Sequence, residues 1–314
     1  MAFGRSAESI TEVMRTLDVV DLSAAIAEHS SRGAHIVAIR PADDPYTAEM
    51  RDGDGEVFLL RRTPIVVSRA SDTGAWHDGR AGMRYRDLIP GRWDGRFVAS
   101  HIAVPDGGPI ADSVHHHSVT FQFLAVRRGW VDVLYEDQGE AIRMLPGDIV
   151  LQPPGIRHQV LATSPGFEIV EVGCPADHRT EFDHELQLPT TGEGPRQWNG
   201  QKFSFTSPGP SATAWDSAGF VSDDSGIGAA TSGLVEVRRV RRGISEGPAP
   251  MPSFDFRFLF VMDGNIEIRF DANDAISLDA GDSITLPPSL AIDVVTEDEA
   301  TVLLDVTVPR TTDN

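Results

Sequence analysis

The chain has 314 residues, a formal net charge of −20 and 40% hydrophobic residues. A chain of this length exceeds the size at which a single hydrophobic core usually stops growing, so two core-forming units are expected. The acidic charge disfavours nonspecific binding to nucleic acid or to an anionic membrane, because both need a basic protein surface. We therefore expect a soluble protein with neither nucleic acid nor membrane as a partner.

Cys174 is the only cysteine, which excludes an intrachain disulfide and favours a reducing compartment. The opening MAFGRSAESI lacks the apolar core of a signal peptide, and nowhere do about 18 apolar residues run together. These features predict a cytoplasmic protein.

The first 55 residues carry the helix signals of the chain. Ser9 and Glu12 have the spacing of a capping box, and apolar residues follow at helical spacing, namely Ile10, Val13, Met14 and Leu17. A second helical pattern, DLSAAIAEHS, comes next. We therefore predict an N-terminal helical segment over residues 1–55.

From residue 56 onward, short strand-like runs alternate with Gly, Pro and Asp, a pattern typical of a β-sandwich or β-barrel. Residues 188–232 are rich in Gly, Pro, Ser and Thr and predict a linker with covering strands. The strand pattern then resumes. Its first strand contains RRVRR (238–242), which strand alternation predicts to be solvated or salt-bridged rather than a nucleic-acid patch.

The two strand-rich regions repeat one another. The stretch RMLPGDIVLQPPGIRH (143–158) matches ISLDAGDSITLPPSLAI (276–292) at a Gly-Asp pair and at a Pro-Pro pair, and the upstream strands match at Gly129 and Gly264. The sequence therefore contains an internal duplication.

VHHHSVTFQF (114–123) places three imidazoles in one strand-like run. Residues two apart share a face of a strand, so His115 and His117 can point into a barrel while His116 points away. Gln122 lies at an odd spacing and needs a bulge or turn to face the same interior. His158 follows a Pro-Pro-Gly turn in a different hairpin. Three neutral imidazoles suit a divalent transition metal.

These spacings resemble the two sequence motifs of the cupin superfamily, in which two His and usually a Glu come from the first motif and a third His from the second. The resemblance implies an all-β bicupin, two tandem jelly-roll-like β-barrels with short N-terminal helices. It implies Fe(II) as the first expectation, with Ni, Mn, Co or Zn as alternatives. The matching patterns are His115-x-His117-x4-Gln122-x6-Gly129 and Gly147-x5-Pro153-x-Gly155-x2-His158.

Gln122 stands where cupins usually carry Glu. The predicted ligand set, His115, His117, Gln122 and His158, therefore contains no anion, and the metal would keep its full charge. We expect an anionic, chelating substrate to take the place of the missing carboxylate.

In the second repeat, the corresponding positions fall on Pro250, Pro252, Arg257 and Ile292, none of which suits a metal. This predicts a metal-binding cupin domain over 56–187 and a degenerate copy without metal ligands over 233–314.

Candidates for acid–base chemistry are Glu171 on a strand near the pocket, Arg157 beside a predicted ligand, and Tyr135 at a strand end. Glu168 and Glu171 have opposite strand parity, so only one should face inward. The following segment, GCPADH (173–178), contains Cys174 and His178, and we expect it to fold back over its partner strand rather than to form a second metal site.

The leading functional hypothesis is a metal-dependent dioxygenase acting on a small metal-chelating substrate such as an enol, diketone or hydroxy-carbonyl, similar to quercetinase-like cupins. A non-redox isomerase, cyclase or lyase is the alternative enzyme. A small-ligand-binding bicupin without turnover is the alternative from another class. The sequence leaves a monomer and a homodimer both open.

Overall fold

A computed structural model describes residues 14–192, 196–210, 212–245, 247–251, 253–270, 274–288 and 290–310. The chain divides into two compact units, Met1–Pro64 and Ile65–Asn314. Both units are built mainly from β-strands, with the few helical segments α1 (Leu22–Ser31), α2 (Arg92–Gly95), α3 (Ile227–Ala230) and a 3₁₀ turn at Arg80–Gly82. Among the described residues, no helix is long and apolar enough to cross a membrane.

The N-terminal unit is a helix packed on a four-stranded sheet. The strands β1 (Arg15–Val19), β2 (His35–Arg40), β3 (Thr47–Arg51) and β4 (Val57–Arg62) pair in the order β1-β4-β3-β2. The second predicted helix corresponds to α1, which is capped by Asp21 accepting from the Ala24 amide at 2.9 Å. The predicted first helix is wrong at Leu17. This residue lies in β1, because pairing with β4 outweighs the local helical spacing. The capping box predicted for that helix, Ser9 and Glu12, lies outside the described residues.

The boundary of the first predicted domain also differs. Residues 56–64, expected at the start of the metal-binding domain, contain β4, which pairs with β1 and β3 in the N-terminal sheet.

The first barrel consists of two sheets. A seven-stranded sheet has the order β18-β14-β11-β16-β8-β7-β6, and the sheet facing it has the order β13-β12-β15-β10-β17, with β9 on β15. The strands are β6 (Trp76–Asp78), β7 (Arg84–Asp87), β8 (Val98–Val104), β9 (Gly108–Pro109), β10 (His115–His117), β11 (Phe121–Arg128), β12 (Val131–Tyr135), β13 (Ile142–Met144), β14 (Ile149–Leu151), β15 (His158–Thr163), β16 (Phe167–Cys174), β17 (Thr180–Phe182) and β18 (Ser204–Thr206).

The second barrel repeats this arrangement. Its large sheet has the order β19-β20-β21-β27-β22-β25-β5, and a smaller sheet has the order β24-β23-β26. The strands are β5 (Val66–Ser68), β19 (Thr213–Ala214), β20 (Phe220–Asp224), β21 (Glu236–Arg242), β22 (Phe254–Asp263), β23 (Asn265–Arg269), β24 (Ala275–Asp279), β25 (Ser283–Leu286), β26 (Asp293–Val295) and β27 (Val302–Pro309).

The two barrels exchange edge strands. β5 comes directly before the strands of the first barrel in the chain but pairs with β25 of the second. In the same way, β18 comes directly before the strands of the second barrel but pairs with β14 of the first. Each large sheet thereby gains a strand at the edge that its own barrel leaves open.

Strand alternation divides the large sheets into two faces. On β22, Phe256, Phe258 and Phe260 pack with Phe121 and Phe123 of β11 in a core shared by both barrels. The other face of each strand fills its own barrel. Gln122 and Arg257 lie between these phenylalanines in sequence and therefore face the barrel interiors.

Candidate metal centre

Three imidazoles converge inside the first barrel. His115 and His117 lie on β10, and His158 begins β15 directly opposite His115 in the antiparallel register. One ring nitrogen from each residue lies within 4.8 Å of the others. His116 points the other way, with Nε2 3.6 Å from Glu181 Oε2.

Hydrogen bonds at Nδ1 orient all three rings. His115 Nδ1 lies 2.8 Å from the Ser113 carbonyl and His158 Nδ1 lies 3.1 Å from the Ile156 carbonyl. A carbonyl only accepts, so both Nδ1 atoms carry the proton and both Nε2 atoms keep a lone pair. His117 Nδ1 lies 2.9 Å from Thr180 Oγ1. Such outer hydrogen bonds are typical of metal-binding histidines, so this donor set fits a divalent metal.

Burial keeps the imidazoles neutral. Loss of solvent contact lowers the pKa of His115 and of His158, and lowers the pKa of His117 to about 3. Neutral imidazole is the form that coordinates a metal, and it is therefore the form present at neutral pH.

A break between two strands turns Gln122 toward the barrel interior. β10 ends at His117 and β11 begins at Phe121, so the intervening turn resets the parity as the odd spacing requires. Gln122 is 1% exposed and shares a strand face with Leu124, which lines the cavity beside the imidazoles. Neither carboxamide atom of Gln122 makes a hydrogen bond of normal length and angle with a described residue, and its nearest polar partner is the Glu171 carboxyl, whose pKa it lowers. Buried amides are normally well paired, so this weakly paired group is available to a ligand.

The imidazoles border a cavity of about 210 Å³. Most of its wall is apolar and comes from both sheets of the barrel. The apolar residues are Met83, Ile102, Val104, Leu124, Val131, Val133, Met144, Val160, Phe167 and Ile169, and the polar residues besides the imidazoles are Arg80, Tyr85, Tyr135, Gln152, Thr163, Glu171, His178 and Thr180.

Two of the three predicted acid–base residues line this cavity. Burial raises the pKa of the Glu171 carboxyl, and the neighbouring Gln122 amide acts in the opposite direction. Tyr135 accepts a hydrogen bond from Gln152 Nε2 at 3.0 Å, and burial raises its pKa. Glu168 is not among the lining residues and pairs with Arg127 instead, as the parity argument requires.

Arg157 does not line the cavity. Its Nε donates to Asp183 Oδ2 at 3.2 Å, and its guanidinium also lies 3.8 Å from Glu136. It precedes His158, so strand alternation turns its side chain away from the metal centre. The structure therefore gives Arg157 a role in holding neighbouring segments together, and the predicted catalytic role does not fit its position.

Arg80 is a site residue that sequence reasoning missed. It lines the cavity, donates to the buried Asp112 at 2.7 Å, and donates from Nη2 to His115 Nε2 at 2.8 Å. It lies 35 positions before His115 in a 3₁₀ turn, outside every motif, so no spacing signal identifies it. The centre therefore contains a permanent cation beside the imidazoles.

His178 was also missed as a site residue. The segment after β16 folds back as expected, and this fold brings the His178 ring edge-on to His117 with 5.6 Å between centroids. His178 Nδ1 lies 3.0 Å from the Pro175 carbonyl and therefore donates to it. A fourth imidazole thus lines the cavity.

Backbone pairing aligns the two barrels independently of the sequence match. The Val126 amide donates to the Asp148 carbonyl, and the Val261 amide donates to the Asp282 carbonyl in the same turn of the second barrel. This alignment places Arg257 at the position of Gln122. By the same pairing, Leu124 lies opposite Glu171 and Leu259 lies opposite Asp305.

The second barrel lacks the imidazoles at these positions. Pro250 and Ile292 stand where His115 and His158 stand in the first barrel, and Pro252 lies outside the described residues. His115, His117 and His158 form the one group of three potential His, Cys, Asp or Glu ligands found in the described parts of the chain.

No protein-family model matches this sequence, and no curated protein matches it significantly. Solved structures do match. Oxalate decarboxylase of Bacillus subtilis is 15% identical with a TM-score of 0.54, over 77% of each chain. A putative glyoxylate-induced protein from Pseudomonas aeruginosa is 15% identical with a TM-score of 0.53, over 90% of this chain and 98% of that chain. With two duplicated barrels, the first of which contains an imidazole triad, the chain has the all-β tandem cupin fold of these structures.

Proposed function

We propose that the first barrel binds one divalent transition metal and is a dioxygenase acting on a small metal-chelating substrate, such as an enol, diketone or hydroxy-carbonyl. His115, His117 and His158 would hold the metal, with Gln122 as a fourth ligand. The observation that carries the proposal is the convergence of three neutral imidazoles whose Nδ1 atoms are already engaged, in a largely apolar cavity.

A bound metal would act as a Lewis acid toward a chelating oxygen and, if redox-active, would allow chemistry with dioxygen. Fe(II) is our first expectation. Manganese is the main alternative, since the structurally similar oxalate decarboxylase of Bacillus subtilis has Mn(II) centres.

The residues around the centre favour an anionic substrate. All four proposed protein ligands are neutral, so no protein carboxylate among them compensates the metal charge. Arg80 adds a guanidinium 2.8 Å from His115 Nε2. Once a metal binds His115, this guanidinium needs a new acceptor, and a substrate carboxylate or enolate oxygen would provide one.

Glu171 is the proposed proton acceptor. Its carboxyl lines the cavity, and burial raises its pKa toward the range in which a general base works efficiently. Tyr135, held by Gln152, lines the cavity from the facing sheet and would orient a substrate oxygen through its hydroxyl.

A non-redox isomerase, cyclase or lyase is the second candidate. Glu171 favours it, because proton transfer at a metal-bound substrate needs a base and no oxidant. Oxalate decarboxylase, which shares this fold at 15% identity, is named for a reaction of the lyase type. A bicupin that binds a small ligand without turnover is the third.

Metal analysis of the full chain tests the proposal. We expect about one divalent metal per chain after purification without chelators or after reconstitution with Fe(II) or Mn(II). His158→Ala should abolish metal retention, whereas Ile292→Ala at the equivalent position should retain it and lower only stability. Absence of metal under both conditions would refute the proposal, and equal loss in both variants would show that the alignment of the barrels is wrong.

Oxygen consumption separates the two enzyme classes. A dioxygenase should consume dioxygen in step with substrate loss in an oxygen-electrode screen of chelating acids, diketones and enols. Substrate loss without oxygen uptake would favour the non-redox alternative. Saturable binding of a screened compound without its loss would favour the ligand-binding class.

A further inference from the structure

The second barrel contains a cavity of about 540 Å³ with many polar residues in its lining, among them Arg257, and Pro250 at the position of His115 also lines it. It is larger than the cavity of the metal centre and falls within the usual size range of small-molecule sites. Its lining includes Asp216, Ser222, Arg238, Arg257, Asp305 and Thr307.

Arg257 and Asp305 are already satisfied by protein contacts. Arg257 Nε and Nη2 donate to the two Asp305 oxygens at 2.9 and 3.0 Å, and Nη1 donates to Asp216 Oδ2 at 2.7 Å. The Trp215 indole also donates to Asp305 at 2.8 Å. This network forms one wall of the cavity. With a further contact from Nη1 to Met251 Sδ at 3.0 Å, it commits four of the five N–H donors of Arg257, so Arg257 cannot bind a carboxylate ligand through two parallel hydrogen bonds.

Asp216 retains an unsatisfied acceptor. Its side chain is 9% exposed, and its Oδ1 has no hydrogen-bond partner among the described residues. A buried carboxylate oxygen without a hydrogen-bond donor lowers the stability of the folded state. A ligand hydroxyl or amine could supply that donor.

Arg238 offers a donor on the strand β21. Within RRVRR, Arg239 is paired with Asp223 and Arg242 donates to the Gly219 carbonyl. Arg238 instead lines the cavity, and no described residue makes a hydrogen bond or ion pair with it. Its acidic neighbours are Asp224, opposite it on β20, and Glu236, whose charge it influences at longer range.

The balance of charge selects the ligand class. Two arginines and three aspartates line the cavity, namely Arg238, Arg257, Asp216, Asp224 and Asp305, so an anion gains no net attraction. A ligand hydroxyl can both donate to Asp216 Oδ1 and accept from Arg238, and the Ser222 and Thr307 hydroxyls can pair with others.

We propose that the second barrel binds a neutral polyhydroxy ligand of monosaccharide size, with one ligand hydroxyl donating to Asp216 Oδ1 and another accepting from the Arg238 guanidinium. This site is separate from the metal centre and does not depend on the activity proposed for it.

Saturation-transfer NMR on the full chain, with D-glucose, D-galactose, D-xylose and D-mannitol as probes, tests this proposal. We expect at least one probe to bind with a Kd of about 10 mM or tighter. Arg238→Met should weaken that binding by roughly tenfold or more, since it removes a charged hydrogen-bond donor. Arg241→Met is the matched control, because Arg241 is exposed on the opposite face of the same strand.

His158→Ala distinguishes the two barrels. It should leave sugar binding unchanged, whereas loss of binding in this variant would place the ligand in the first barrel and overturn the proposal. Failure of all four probes to bind, or equal binding by the Arg238→Met and Arg241→Met variants, would also overturn it. Tighter binding of D-gluconate or D-glucosamine than of D-glucose would refute the assignment to a neutral ligand.

Discussion

Replacement of Arg257 by methionine should destabilise the protein strongly. Arg257 is 1% exposed and makes three charge-assisted hydrogen bonds to Asp305 and Asp216, whose side chains are 3% and 9% exposed. Removing the guanidinium would leave two buried carboxylates without their counterion. Breaking a buried pair in this way typically costs about 3–5 kcal/mol of unfolding free energy.

Gln122→Met is the matched control, because Gln122 occupies the equivalent position in the first barrel. The Gln122 carboxamide makes no hydrogen bond of normal length and angle with a described residue, its interaction with the Glu171 carboxyl is weak, and methionine has a similar shape. Replacement of this weakly paired buried amide by an apolar group should therefore change the free energy of unfolding by less than about 1 kcal/mol, or stabilise the protein.

Equilibrium unfolding in urea, followed by tryptophan fluorescence and circular dichroism, measures both effects, and an unchanged m-value would support a comparison of free energies. Arg257→Met combined with Asp305→Asn should recover part of the loss, because the second change removes the stranded charge. A cost below about 1 kcal/mol for Arg257→Met, or an equal cost for Gln122→Met, would refute this account of the buried network.

Two further predictions concern the first barrel. Burial alone would raise the pKa of Glu168, but the hydrogen bond from His101 and the charge of Arg127 lower it to about 2. Because this pKa lies below its unfolded value of 4.5, the stability from Glu168 is present above about pH 4.5 and is lost as the pH falls toward 2. In urea unfolding across this range, Glu168→Gln should be less stable than the natural chain at neutral pH and should lose less stability on acidification; identical slopes would contradict the prediction. The second prediction compares two glycines with positive φ, Gly147 (+88°) and Gly155 (+79°). A Cβ added at Gly147 would lie 2.6 Å from Pro208 Cγ. A Cβ added at Gly155 would have no atom within 4 Å. Both alanine variants should lose about 1 kcal/mol through backbone strain, and Gly147→Ala should lose about 1–3 kcal/mol more through overlap. Thermal unfolding compares them, and equal losses would show that Pro208 moves aside without cost.

The parts of the site that could be predicted are those fixed by strand periodicity. His115 and His117 share a face because they are two residues apart, and β10 ends before Gln122 as its odd spacing requires. The degenerate second repeat could be aligned because Asp148 and Asp282 each anchor the same turn, accepting from the amides of Leu145 and Asp279. Local geometry repeated in this way preserves register across a duplication.

The parts that could not be predicted depend on where loops and edges lie in space. Arg80 reaches His115 from a turn whose path no local pattern specifies, and His178 reaches His117 only because the chain reverses after β16. Likewise, the run containing β5 has the composition of a strand but no signal for its partner, and it pairs across the duplication with β25. Periodicity therefore predicts which face a residue occupies, but not which distant segment covers that face.

The duplication also shows how the two barrels differ in the fixed charge on one interior strand position. In the second barrel, the inward carboxylate of Asp305 is paired with Arg257, which is covalently part of the strand. In the first barrel, the equivalent carboxylate is Glu171 and the equivalent strand position is the neutral Gln122. The first barrel therefore has no cation at this strand position, and its permanent cation beside the three neutral imidazoles, Arg80, comes from a separate turn. A divalent metal would supply positive charge there, whereas in the second barrel Arg257 would repel it. Position 122 and its counterpart 257 therefore separate a barrel suited to a metal from one that is closed to it.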